Sequence, residues 1–162
     1  MKNDSTTTQD APKRLESGDK APDFCLLNAE GVEISLKDFG DKTIILYFYP
    51  KDNTPGCTIE ALDFSALLKE FLAKDAVVIG VSPDTPKCHQ NFITKQNLKH
   101  ILLSDPEKKV ASAYGVYGKK LMYGKEVNGI IRSTFIIQGG KIVCAMYNVK
   151  AKGHAQKVLE MV

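Results

Sequence analysis

Tyr49-Pro50-Lys51-Asp52-Asn53-Thr54-Pro55-Gly56-Cys57-Thr58-Ile59-Glu60 joins a buried strand to an amphipathic helix and sets a cysteine at the joint. The residues leading into it, Thr43-Ile44-Ile45-Leu46-Tyr47-Phe48-Tyr49, are β-branched and aromatic, as strands prefer. They are apolar on both faces, which predicts a central strand. Beyond it, Phe64, Leu67, Leu68, Phe71 and Leu72 recur at the spacing of one helical face and predict a helix reaching about Ala73. Thr54 is the predicted N-cap and Pro55 the first helical residue. Cys57 then stands in the first turn, where N–H groups lack helical partners and the helix dipole favours an anion. A thiolate is such an anion, and the strand end and loop give access. This is the layout of a reactive cysteine rather than one buried for packing.

Upstream, Phe24-Cys25-Leu26-Leu27 and Val32-Glu33-Ile34-Ser35 flank Asn28-Ala29-Glu30-Gly31 and predict a hairpin, with a short helical turn over residues 36–39. Downstream, Ala76-Val77-Val78-Ile79-Gly80-Val81 predicts a second buried strand. Thr85-Pro86 opens a helix to about Gln96, and His100-Ile101-Leu102-Leu103 predicts a short strand. Asp105-Pro106-Glu107 predicts a third helix by the same capping logic, running through Val110 and Tyr114. Residues 119–128 contain glycine, show no periodicity and read as a loop. Thr134-Phe135-Ile136-Ile137 and residues 141–147 flank Gln138-Gly139-Gly140 as a second hairpin, and residues 151–161 predict a closing helix. Crossover units followed by an antiparallel hairpin and a helix predict an α/β, thioredoxin-like fold: a central mixed sheet flanked by helices, with an N-terminal hairpin. A flavodoxin-like fold would need a crossover helix where the second hairpin stands.

The chain has 162 residues, 43% of them hydrophobic, enough for one domain with a sizeable core. Residues 1–15 are polar and aperiodic and predict a disordered extension, leaving residues 16–162 as a single domain. The net charge of +3, from 22 basic and 19 acidic residues, is too mild to imply nucleic-acid binding. No apolar run approaches the ~20 residues that cross a bilayer. The first ten residues lack the apolar core of a signal peptide, so a cytoplasmic setting is expected. Of the four cysteines, Cys25, Cys57, Cys88 and Cys144, none forms a Cys-x-x-Cys pair or a zinc-knuckle spacing. Cys25 and Cys144 fall in predicted strands, where a packing role is expected. No metal or cofactor site is read from the sequence.

Pro50-x-x-x-Thr54-x-x-Cys57, with Arg132 far downstream in Ile131-Arg132-Ser133-Thr134-Phe135, resembles the active-site signature of peroxiredoxins. The fuller run from Tyr47 to Thr58, Glu60-Ala61, Ala21-Pro22-Asp23-Phe24 and the ending Val149-Lys150-Ala151-Lys152-Gly153-His154-Ala155 resemble the bacterioferritin comigratory protein, or peroxiredoxin Q, group. The resemblance implies a thiol peroxidase. It would reduce hydrogen peroxide and organic hydroperoxides through a Cys57 sulfenic acid and be recycled by thioredoxin or another thiol. It implies that Arg132, the Thr54 hydroxyl and the Cys57 N–H meet the peroxide, that Pro50 shields the sulfenic acid, and that Glu60 orients Arg132. It also implies a monomer.

Positions where many members of the group carry a second cysteine hold Leu62 and Ile93 here. Cys88, in Thr85-Pro86-Lys87-Cys88, repeats the Thr-Pro-x-Cys pattern of the active-site loop and is the candidate resolving cysteine; the alternative is a one-cysteine mechanism with an external thiol. His154 is read as a helix-start residue without chemistry. Two other functions compete with the enzyme: a redox sensor that relays Cys57 oxidation to a partner by mixed disulfide, and a binding module without chemistry. A dithiol oxidoreductase is disfavoured because Thr54 stands where Cys-x-x-Cys needs its first cysteine.

Overall fold

The computed structural model describes residues 14–122 and 124–162. The predicted extension over residues 1–15 therefore lies outside the described residues, except for its last two. Those two are anchored: the Leu15 N–H donates to the Tyr147 hydroxyl at 2.8 Å, and the Arg14 guanidinium lies 4.8 Å from the centre of the Tyr147 ring.

The strands are β1 (Cys25–Asn28), β2 (Glu33–Ser35), β3 (Thr43–Phe48), β4 (Ala76–Ser82), β5 (Ile101–Ser104), β6 (Tyr117–Met122), β7 (Lys125–Ile130), β8 (Ser133–Gln138) and β9 (Lys141–Met146). The helices are α1 (Pro55–Ala66), α2 (Leu68–Ala73), α3 (Pro86–Gln96), α4 (Lys109–Ala113) and α5 (His154–Met161), with a 3-10 turn at Leu36–Phe39. Seven strands form one mixed sheet in the order β2-β1-β5-β4-β3-β8-β9. β3, β4 and β5 are parallel neighbours, and the pairs β1–β5, β3–β8, β1–β2 and β8–β9 are antiparallel.

The period-2 alternation of β3 builds a core on each face of the sheet. Ile44, Leu46 and Phe48 pack with Phe135, Tyr114, Val110 and Phe24 on one side. Ile45, Tyr47 and Tyr49 pack on the other with Cys57, Ala61, Phe64, Phe71, Phe92 and Val158, from α1, α2, α3 and α5. The joint that carries Cys57 thus rests on the second core. The predicted N-terminal hairpin forms, with the Asn28 side chain accepting from the N–H groups of Glu30 and Val32.

Four expectations are corrected. The helix predicted to run to Ala73 bends at Leu67 (φ −96°, ψ 4°) and divides into α1 and α2. Phe71 lies in the core and Leu72 is exposed. The third helix begins at Lys109 rather than at Asp105-Pro106. The Asp105 carboxylate reaches forward to the N–H groups of Val110 (3.4 Å) and Ala111 (2.9 Å), with Lys108 left-handed (φ 61°) between them. The predicted loop over residues 119–128 is a β-hairpin of β6 and β7, a separate two-stranded ribbon. Its turn-side residues 125–128 are exposed, so no hydrophobic alternation marks it in the sequence. Finally, Cys25 is exposed on β1 rather than packed, because the alternation of that short strand turns Leu26 inward instead. Cys144 is partly buried on β9, as a packing residue should be.

Candidate active site

Thr54 and Pro55 start α1 as predicted, with Thr54 extended (φ −84°, ψ 155°) and Pro55 at the first position. The Thr54 carbonyl accepts the Thr58 N–H at 2.8 Å. Its hydroxyl does not cap the helix; it donates to the Lys51 carbonyl at 2.8 Å. The matching tetrapeptide at α3 behaves differently. There the Thr85 hydroxyl accepts the Cys88 N–H at 3.2 Å. One sequence pattern therefore yields two caps. The Cys88 amide is taken up locally, whereas the Thr54 side chain leaves the first turn of α1 to other partners.

Cys57 is 2% exposed, so the access expected from the loop is narrow. Arg132 enters from just before β8 and bridges two groups of α1. Its Nη1 donates to Glu60 Oε1 at 2.6 Å and its Nη2 lies 3.4 Å from Cys57 Sγ. The distant arginine, the cysteine and the carboxylate one turn further along the helix thus meet. Glu60 is fully buried, and among the described residues its Oε2 has no hydrogen-bond partner. Burial pushes the Glu60 carboxyl up to about 7, more than the opposing pull of Arg132 offsets. Burial works against the Arg132 charge, but Glu60 and Cys57 more than compensate, so the guanidinium is held above its ordinary range.

Pro50 and Arg132 line an open cavity of about 560 Å³ together with Ile130, Ile131 and Val149. Arg14, Lys119 and Lys120 add positive charge to its wall. The Lys120 ammonium donates to the Ile130 carbonyl at 2.7 Å. Of the expected site residues, Pro50, Thr54, Cys57, Glu60 and Arg132 thus gather at the start of α1. Cys88 stands apart, exposed in the first turn of α3. Because β3 and β4 are parallel neighbours, α1 and α3 start from the same end of the sheet, as expected.

Several residues of this region carried no role in the sequence reading. Gly56 is one: a Cβ there would lie 3.1 Å from Arg132 Nη2. Beneath the cysteine, the Tyr47 hydroxyl and the Ser65 hydroxyl each lie 2.7 Å from a nitrogen of His100. Burial pushes His100 down to about 3, so the ring is neutral. His154 lies 2.7 Å from the Thr134 hydroxyl and ties the start of α5 to β8. Burial, then the nearby charges of Lys157 and Arg132, push it down to about 4. Asp52, Asp84 and His89 present three oxygen or nitrogen atoms within 4.8 Å of one another, the spacing of a metal site. Hydrogen bonds already engage these groups: His89 with Asp52, and Asp84 with the Asp52 N–H and the Ser82 hydroxyl.

The AhpC/TSA family model matches residues 17–146. The chain belongs to this family. Among its peroxiredoxin relatives, a putative peroxiredoxin Bcp of Helicobacter pylori is 63% identical over 149 residues, covering 91% of this chain and 98% of the relative. Peroxiredoxin Bcp of Bacillus subtilis is 46% identical over 147 residues, covering 90% and 94%. The solved bacterioferritin comigratory protein of Xanthomonas campestris, studied for alkyl peroxide reduction, superposes with a TM-score of 0.83 at 41% identity, covering 90% of this chain and 96% of that one. The expected family and its thioredoxin-like fold are borne out, and this peroxiredoxin is a thiol peroxidase. No helix among the described residues is long and apolar enough to cross a membrane.

Proposed function

We propose that Cys57 is the peroxidatic nucleophile and that the Arg132 bridge between Cys57 Sγ and Glu60 Oε1 carries the chemistry. The Cys57 thiolate attacks one oxygen of a hydroperoxide. The S–O bond forms as the O–O bond breaks, sulfur is oxidised to sulfenic acid, and the departing alkoxide or hydroxide takes up a proton. Negative charge leaves sulfur and gathers on the departing oxygen. Arg132 is a fixed cation beside that path, and preorganised donors there lower the barrier. Glu60 holds Nη1, which leaves Nη2 for sulfur and peroxide. A lysine has no planar fork with which to do both. The first-turn N–H of Cys57 is a second donor, supported by a Thr54 hydroxyl that does not cap it. Pro50, on the cavity wall beside Arg132, shields the sulfenic acid. The cavity, apolar at Ile130, Ile131 and Val149, suits organic hydroperoxides as well as hydrogen peroxide.

Reduction of the sulfenic acid falls to a thiol, with Cys88 as the internal candidate and thioredoxin or a similar dithiol as the final reductant. Four unpaired cysteines suit a reducing, cytoplasmic setting, and a disulfide would arise in turnover only. The working unit is proposed to be a monomer.

Cys57→Ser tests the assignment. It is expected to remain folded and to lose peroxide consumption in a coupled assay with thioredoxin and its reductase. Retention of more than a few per cent of turnover would remove Cys57 from the mechanism. Sustained turnover of the unaltered chain separates the enzyme from a sensor, which would oxidise once and stop.

A further inference from the structure

Between Tyr49 and Cys57, Asp52 alone is buried, at 6% exposure. It is held from three other segments. The Tyr49 hydroxyl, just beyond β3, donates to Oδ1 at 2.6 Å. His89 Nδ1, in the first turns of α3, lies 2.7 Å from Oδ2. The Asp52 N–H donates to Asp84 Oδ2 at 2.7 Å, and the Ser82 hydroxyl donates to the same oxygen. His89, fully buried, also lies with Nε2 2.9 Å from the Leu103 carbonyl on β5.

The protons follow from the partners. A carbonyl can only accept, so Nε2 carries a hydrogen. Oδ1 of Asp52 already accepts from Tyr49. A second proton must therefore lie between Nδ1 and Oδ2, on one atom or the other. The pair is then net neutral and fully hydrogen-bonded, which is the condition under which such a pair is tolerated inside a protein. Removing either partner leaves the other buried and unmatched.

Its position gives it a mechanical consequence. Asp52 lies in the loop that delivers Cys57, and His89 follows Cys88 directly. The Cys57 sulfur is buried behind Arg132, so a thiol attacking its sulfenic acid needs that loop to move. In that step the thiolate forms an S–S bond with Cys57, and the sulfenic oxygen departs as hydroxide and is protonated to water. We infer that the Asp52–His89 pair is a latch: closed, it holds the Cys57 loop in its peroxide-reactive form, and it must open before a thiol can reach the Cys57 sulfenic acid. The inference rests on Cys57 as the nucleophile but not on Cys88 as the resolving thiol. Asp52 and His89 are positioning residues, acting through the loop.

The test uses single-turnover kinetics in a Cys88→Ser background, so that dithiothreitol is the only resolving thiol. Asp52→Ala and His89→Phe remove one half of the latch each. Both are expected to slow oxidation by hydrogen peroxide about tenfold, as a misplaced reacting group does, and to speed dithiothreitol attack on the sulfenic acid by a similar factor. Asp52→Asn is the control. Its amide can donate to a neutral His89 Nδ1 while its carbonyl still accepts from Tyr49, so both rates are expected within about twofold of the parent. General loosening of the fold would lower thermal stability without this opposite-signed split. Parallel slowing of both steps, no change in either, or an Asp52→Asn variant as altered as Asp52→Ala would each overturn the latch. Hydrogen exchange on the Cys88→Ser chain, where no Cys57–Cys88 disulfide can open the two segments, decides the matter if the latch variants do not fold. After one equivalent of peroxide, amides of residues 50–57 and 86–89 are expected to gain exchange together; independent exchange would overturn the coupling. Peroxidase turnover in Cys57→Ser would instead remove the reading on which the latch rests.

Discussion

Gly56 has room for a hydrogen and little more on the side facing Arg132. A methyl group there would press on Nη2 from 3.1 Å, and Nη2 cannot retreat freely because Glu60 holds the other end of the guanidinium. Gly56 is inside α1 with no left-handed backbone to protect, so alanine itself favours the helix by up to ~1 kcal/mol. Gly56→Ala is therefore expected to keep or slightly raise the melting temperature while the peroxide rate falls about tenfold, since the guanidinium leaves its place by a few tenths of an ångström. Rapid-mixing kinetics and a thermal melt check the two halves. Glu60 makes a pH-dependent counterpart. Its carboxyl titrates near 7 in the fold against 4.5 ordinarily, so between those values the folded chain binds the proton that the unfolded chain has lost. Stability from this group is thus present below about 4.5 and is lost as pH rises through 7. The loss is on the order of 3 kcal/mol, and screening or movement of the side chain would lessen it. Glu60→Gln is expected to remove that component from urea-unfolding curves taken across the range. If the two chains lose stability in parallel from acid to neutral pH, the buried carboxyl is not the cause.

At the scale of the element, Gly80 in β4 is set by its neighbours. A Cβ would stand 2.7 Å from Tyr47 Cζ and 2.9 Å from a methyl of Leu102, both fully buried. Aromatic and core atoms cannot yield as a flexible chain end does. Gly80→Ala is expected to cost about 1–3 kcal/mol, read from urea midpoints, and to pull the Tyr47 hydroxyl from His100. An unchanged midpoint would mean that the strand shifts freely, against the packing described. The strands that pass through the core were legible because their residues alternate or run apolar: residues 43–49 and 76–81 predicted β3 and β4 to within a residue at either end. The β6–β7 ribbon was illegible for the same physical reason. It leans on little, so burial imposes no pattern on residues 125–128. The bend at Leu67 was hidden because periodicity counts residues and does not register a change of axis. At the site, Pro50, Thr54, Cys57 and Arg132 could be picked out by motif, and Glu60 by the family resemblance. Asp52 and His89 could not, since 37 residues separate them and only the β3–β4 pairing brings them together.

For the whole molecule the open contest is how the oxidised cysteine is returned to thiol. Cys57 is buried against Arg132, and Cys88 is exposed in the first turn of a neighbouring helix. Both turns lie at one end of the sheet because β3 and β4 run parallel side by side. A disulfide needs Cα atoms within ~7 Å, so the starts of α1 and α3 must come undone together. α3 is suited to that. It carries a single capping bond from Thr85, and of its first four residues only His89 is buried. Cys144 sits on β9, where leaving would break ladder bonds, and Cys25 lies on β1, three strands from β3 in the sheet order. After one equivalent of peroxide, peptide mass spectrometry is expected to find Cys57 joined to Cys88, with Cys25 and Cys144 free. Cys88→Ser is then expected to accumulate sulfenic acid and to over-oxidise to sulfinic acid in excess peroxide, since no internal thiol intercepts it. A stable Cys57 sulfenic acid beside a free Cys88 in the unsubstituted chain would give the one-cysteine mechanism instead. The helix start at Cys88 would then share a sequence pattern with the active site without sharing its chemistry.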